Sequence, residues 1–181
     1  CGLVWGRPSV SDVPLGIDAW LAPMAEQLAS LELGSHYVFR AWNVELNMGW
    51  RIALEGFQES YHFCSAHKHT ACSAYLDNQS VFLDQYPHVR HAVPLADVVA
   101  LGDVPESEWD YRANYMTQNY LFPCNFVQAM SDHVYIHSVI PTGPGTCVFK
   151  CMMLVPGSPE TAEEIAKAER YWEANYNVVR T

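Results

Sequence analysis

The chain has 181 residues, half of them hydrophobic and 13% aromatic, enough to bury a core and a pocket within one domain. Only 17% are charged, which excludes a disordered chain. Acidic residues outnumber basic ones 20 to 10, and the resulting charge of −10 repels phosphate backbones, excluding a general nucleic-acid or anionic-membrane partner.

Residues 1–6, CGLVWG, read as a short buried strand, and Pro8 and Pro14 bracket a loop after it. From Ile17 to about Leu33, Trp20, Leu21, Met24, Leu28 and Leu31 recur at helical spacing until Gly34-Ser35 breaks the pattern. Residues 36–47 alternate as a strand, with Tyr37, Phe39, Ala41 and Val44 as its apolar members. Residues 49–70 read as one long helix with Trp50, Ala53, Leu54, Phe57 and Tyr61 on its core face. Gly56 within it costs about 1 kcal/mol against Ala, so a close approach is expected there.

Residues 78–95 are extended, and the acidic stretch 102–110 is a solvated loop. Alternating runs within residues 111–156, punctuated by Pro123 and Gly143-Pro144-Gly145, predict an antiparallel meander. Ser158-Pro159-Glu160 starts a final helix that places Ile165, Ala168, Trp172, Tyr176 and Val179 on one face. The order of elements defines an α+β domain. No apolar run approaches the roughly 18–20 residues of a membrane span.

The chain opens on Cys1 with no initiator Met, signal peptide or basic targeting segment. Cys1, Cys64, Cys72, Cys124, Cys147 and Cys151 therefore read as reduced thiols of a cytoplasmic protein. Neither Cys64-Ser-Ala-His67 nor Cys147-Val-Phe-Lys-Cys151 has a second pair at zinc spacing, so neither a structural zinc nor a cluster held by this chain alone is expected.

Chemistry concentrates in Glu59, Tyr61, His62 and His67. Two imidazoles and a carboxylate within nine residues suit a divalent transition metal. Glu59 and His62 share a helical face at i, i+3, but His62 and His67 stand about 140° apart on a regular helix. They can share one ion only if the helix ends or distorts between Phe63 and His67. The plainer alternative makes His62 a helix cap, His67 and His69 exposed and Glu59 solvated. His133 and His137 lie on one side of a strand with Tyr135 and read as satisfied sheet histidines, with the pocket-facing role as the alternative, while His88 and His91 read as exposed or facing a neighbouring subunit.

Residues 50–67, WRIALEGFQESYHFCSAH, resemble the iron-ligand segment of the Rieske non-haem iron oxygenases, the aromatic-ring-hydroxylating dioxygenase alpha subunits. Trp50, Glu55, Phe57, Glu59, Tyr61, His62 and His67 match that pattern, and Leu121-Phe122-Pro123 and the last helix add looser similarity. The departures are Gly49, Arg51, Gly56 and Cys124, none at a ligand position.

The resemblance implies a helix-grip domain, START/SRPBCC-like, with a curved antiparallel sheet packed on long helices. It implies His62 and His67 as ligands of a mononuclear Fe(II), with the third carboxylate ligand beyond Thr181. Glu59 would bridge electrons from a neighbouring subunit's Rieske cluster, Tyr61 would support the ligands, and Phe57 and Gly56 would line the substrate pocket. It further implies a hydrophobic or aromatic substrate, O2, a 2Fe-2S cluster, NADH or NADPH oxidised by a separate reductase, a ferredoxin and a homotrimer. Residues 1–181 would then be a catalytic domain cut at both ends, without its N-terminal Rieske domain. The alternatives are a non-catalytic carrier of hydrophobic ligands on the same fold and, with no HExxH spacing to support it, a zinc hydrolase.

Overall fold

The computed structural model describes residues 2–6 and 12–180. Cys1, Pro8 and Thr181, on which sequence expectations fall, lie outside the described residues. The elements are α1 (Ile17–Leu21), α2 (Ala25–Ser30), β1 (Tyr37–Leu46), α3 (Trp50–Gly56), α4 (Phe63–Ala66), β2 (Val81–Gln85), β3 (His88–Pro94), α5 (Tyr111–Asn114), β4 (Tyr115–Leu121), β5 (Asn125–Ala129), β6 (Val134–Gly143), β7 (Thr146–Val155) and α6 (Ala162–Arg180). The seven strands form one antiparallel sheet in the order β1-β7-β6-β5-β4-β3-β2. This is the expected meander, with β1 returning to pair with β7.

Period-two alternation gives the sheet two apolar faces. Phe126 of β5, Phe149 and Met153 of β7 and Tyr135 of β6 join Ala168 and Trp172 of α6 in the main core. Val127, Val134 and Leu154 point the other way and pack on Leu21, Met24 and Leu28 from the α1–α2 segment. The sheet thus grips α6 on one face and is covered by a short helical segment on the other, a helix-grip α+β domain. No helix among the described residues is long and apolar enough to cross a membrane.

Several expectations need correction. Residues 2–6 form no strand: Leu3 and Trp5 pack on the core, but Val4 is fully exposed. In β1 the pairing slips between Val38 and Arg40, so the inward set becomes Phe39, Trp42, Val44 and Leu46, and Ala41 faces out. The final helix starts at a Thr161-x-x-Glu164 capping box, not at Ser158-Pro159. Thr161 Oγ1 accepts from the Glu164 amide at 3.2 Å, and Glu164 Oε2 accepts from the Thr161 amide at 3.0 Å.

The long helix of residues 49–70 is two pieces. It stops at Gly56, and after an irregular turn a single turn of helix forms α4. Two bonds to distant elements outcompete helix continuation here. Tyr120 O–H of β4 donates to the Phe57 carbonyl, and buried Ser60 donates to the Asp77 carbonyl at 2.7 Å.

The cysteines also depart from expectation, because Cys64 and Cys72 form a disulfide. The cause is local. The His67 carbonyl accepts from the amides of Thr70, Ala71 and Cys72, folding the chain back so that the two Cα atoms lie 4.5 Å apart. Cys124, Cys147 and Cys151 are free thiols.

Candidate metal centre and its cavity

His62 immediately precedes α4 and His67 immediately follows it. The helical turn ends at Ala66, and His67 adopts φ −109° and ψ 41°, outside the helical region. That break turns an i, i+5 pair into neighbours, with ring centroids 5.1 Å apart and planes at 68°. A ring nitrogen sits about 1 Å from its imidazole centre, so two rings on one ion at ~2.1 Å bonds lie about 4.5–5 Å apart. The pair fits that requirement.

Glu59 orients the pair. Its Oε1 accepts from His62 Nδ1, and its Oε2 accepts from the His62 amide at 3.2 Å. The bonded Nδ1–H leaves the lone pair on Nε2, the tautomer a metal needs. Phe63 packs edge-on against His62 and is itself met by Tyr75. The His67 pKa is held below its ordinary value, first by burial and then by the neighbouring His62, against the opposing pull of Glu59. A neutral imidazole is the form that ligates.

The two histidines line a cavity of about 660 Å³ between α3, the sheet and α6, and both Phe57 and Gly56 line it too. This volume suits a small organic molecule. The wall combines apolar side chains such as Ile52, Met116 and Met130 with neutral polar ones, Gln118, Gln128 and Asn175 among them, and among the described residues no Asp, Glu, Lys or Arg lines it.

Tyr61 does not support the ligands. It is 73% exposed, and among the described residues no hydrogen bond joins it to either imidazole. Nor does Gly56 serve a close approach, since a Cβ there meets nothing within 4 Å. Gly56→Ala is therefore expected to stabilise the fold by about 0.4–1 kcal/mol, raising Tm by roughly 1–4 °C in a thermal melt. An unchanged or lower Tm would show that the glycine has another role.

Of the other histidines, His69 is exposed and His36 half-buried, while His88, His91, His133 and His137 are buried. His88 donates from Nε2 to the Trp20 carbonyl at 2.9 Å and accepts at Nδ1 from the Phe122 amide at 3.2 Å, so it is neither exposed nor available to a neighbour. His91 is buried against Phe82 and bonds Gln118. His133, just before β6 and not within the sheet, bonds Asp132 at 2.9 Å and lines the cavity. His137 is not satisfied: neither of its ring nitrogens has a partner among the described residues. Partial burial pushes Asp132 up, but hydrogen bonds from Lys167, His133 and Tyr171 outweigh it and bring its pKa down to about 2. Sequence reasoning missed Ser60, Gln118, Tyr120 and Gln128, which hold the 57–62 turn or reach the cavity wall, because they are spread over three segments with no local motif.

A sheet that grips α6, with a carboxylate-bonded histidine pair on the wall of an internal cavity, defines a helix-grip domain. The chain belongs to the ring hydroxylating alpha subunit (catalytic domain) family, whose pattern matches residues 33–180. Among solved structures it resembles the quaternary ammonium Rieske monooxygenase CntA in complex with L-carnitine (TM-score 0.70, 12% identity, 93% of this chain and 44% of that one). It also resembles naphthalene 1,2-dioxygenase from Rhodococcus sp. bound to indole (TM-score 0.57, 11% identity, 77% and 40%) and dicamba monooxygenase bound to 3,6-dichlorosalicylic acid (TM-score 0.53, 8% identity, 77% and 45%). The chain spans less than half the length of each, and at these identities the likeness is one of fold. No curated protein matches it in sequence.

Proposed function

We propose that this chain is the oxygen-activating domain of a Rieske-type ring-hydroxylating oxygenase, acting on a hydrophobic or aromatic substrate. The observation that carries this reading is the His62–His67 pair, 5.1 Å apart on the wall of an apolar cavity, with Glu59 bonded to one member. A simple carrier of hydrophobic ligands has no use for such a pair.

His62 and His67 would hold the ion through neutral imidazoles. Among the described residues no third His, Cys, Asp or Glu completes a group with them. We place the third donor, a carboxylate, in chain following Thr181. When bound, a ferrous ion held on one face by two imidazoles and a carboxylate leaves positions open at which O2 is activated.

The residues of this chain do the rest. Glu59 keeps the proton of His62 on Nδ1. Its side chain is 27% exposed, so it can also accept a hydrogen bond from outside the domain, where a Rieske-cluster histidine of a neighbouring subunit would deliver electrons. Phe57, stacked on Phe149 at 5.1 Å, forms a rigid wall that excludes water from the substrate. The electrons would come from NADH or NADPH through a reductase or ferredoxin, in a homotrimer.

Anaerobic titration of the complete protein with ferrous ion tests the reading. One ion per subunit beyond those of the 2Fe-2S cluster is expected, with oxygen-dependent hydroxylation once electrons are supplied. A complete protein that takes up no such ion overturns it.

A further inference from the structure

A hydrogen-bonded relay of buried side chains ends on the cavity wall. His91 Nδ1 donates to Gln118 Oε1 at 3.0 Å, and Tyr120 O–H, 2.8 Å from the same oxygen, shares its single proton between it and the Phe57 carbonyl. Gln118 Nε2 then donates to Gln128 Oε1 at 3.1 Å. Gln118 and Gln128 face each other in register on β4 and β5, and Tyr135 of β6 stands opposite Gln128. Apart from His91 Nε2, which has no partner among the described residues, every acceptor in the relay is thereby occupied.

Its last group is not. Gln128 is only 7% exposed, it lines the cavity, and its amide nitrogen has just the Met130 sulfur at 3.7 Å. A thioether is a weak acceptor, so two amide protons are left close to unpaired in an apolar wall. A buried donor in that condition is destabilising until a partner arrives.

We propose that Gln128 is the polar anchor of the substrate site, taking a neutral carbonyl oxygen on an otherwise apolar, ring-sized molecule. The proposal rests on reading the cavity as the substrate site. The charge of the ligand follows from the lining. Among the described residues no Lys or Arg lines the wall to meet a carboxylate, and no Asp or Glu lines it to meet an ammonium. A ketone, amide or ester oxygen needs only a donor, which Gln128 provides and Gln118 holds in place.

Binding to the chelator-treated complete protein, measured by calorimetry, tests this independently of iron. The probes are acetophenone, its near-isostere α-methylstyrene, which lacks the oxygen, and benzoate. Gln128→Leu is expected to reduce the preference for acetophenone over α-methylstyrene by about three- to tenfold, while α-methylstyrene itself binds as before. Gln128→Glu keeps an oxygen for Gln118 but replaces the free amide protons, so it should lose the same preference and gain affinity for benzylammonium. Benzoate should bind the unaltered protein more weakly than acetophenone. The proposal is overturned by an unchanged preference in both variants, by tighter binding of benzoate, or by no binding of any probe. An intact iron titration alongside any of these would leave the oxygenase reading standing.

Discussion

His62→Ala and His67→Ala proteins are each expected to bind ferrous ion a hundred to a thousand times more weakly than the unaltered protein. A structural metal site worth roughly 10–16 kcal/mol over four ligands gives about 2.5–4 kcal/mol to each. Glu59→Ala should cost less, about 10–100-fold, because it removes the orienting bond and leaves both donor nitrogens in place. Hydroxylation should vanish in the histidine variants. Anaerobic metal titration and product analysis read both quantities. Iron bound normally by His62→Ala would remove the imidazole pair from the centre, and Glu59→Ala behaving worse than either histidine variant would make the carboxylate a ligand.

The second large effect is acid sensitivity centred on His137. Its ring is fully buried, 4.3 Å from Phe126 and 5.3 Å from Phe149, and burial pushes its pKa down to about 3. In the unfolded chain an imidazole titrates near ~6.5. Above that pH both states are neutral and the native fold keeps its full stability. As pH falls below it, the unfolded chain takes up a proton that the folded core refuses, and stability drops by about 1.4 kcal/mol per pH unit. The loss from His137 continues to about pH 3.

Burial lowers His91 and His133 as well, so the slope is shared. His137→Leu, of similar volume, should leave stability at neutral pH within about 1–2 kcal/mol and flatten the acid slope by about one proton. Urea midpoints measured from pH 7.5 down to pH 4 check this. An unchanged slope in His137→Leu would mean that this ring protonates in the folded state.

The sheet was legible in the sequence because alternation over residues 36–47 and 111–156 has a period that only strands satisfy, while residues 78–95 read only as extended. The candidate metal pair was visible as a spacing but not as a geometry. Whether His62 and His67 meet depends on Tyr120 and Ser60, which hold the 57–62 turn out of helix from elements far along the chain. Helical periodicity through Tyr61 carried the wrong message, since the pattern continues where the helix does not. The Cys64–Cys72 bond was equally hidden, because it is made by three amides converging on one carbonyl rather than by any cysteine motif. The cavity's polar anchor is split between two strands and has no signature within either.

One feature of the sheet bears on how the domain reaches its native state. Six strands follow one another as neighbours, but β1 pairs with β7, joining positions roughly a hundred residues apart in the chain. Closing so long a loop is entropically the hardest step of the assembly, so this ladder is expected to form late. The segment bearing Glu59, His62 and His67 follows β1 after the single helix α3. Its walls on β4 and β5 can assemble early from local hairpins, while the strand that launches the histidines docks afterwards. The candidate centre is therefore put together last, with ligand-poor intermediates preceding it.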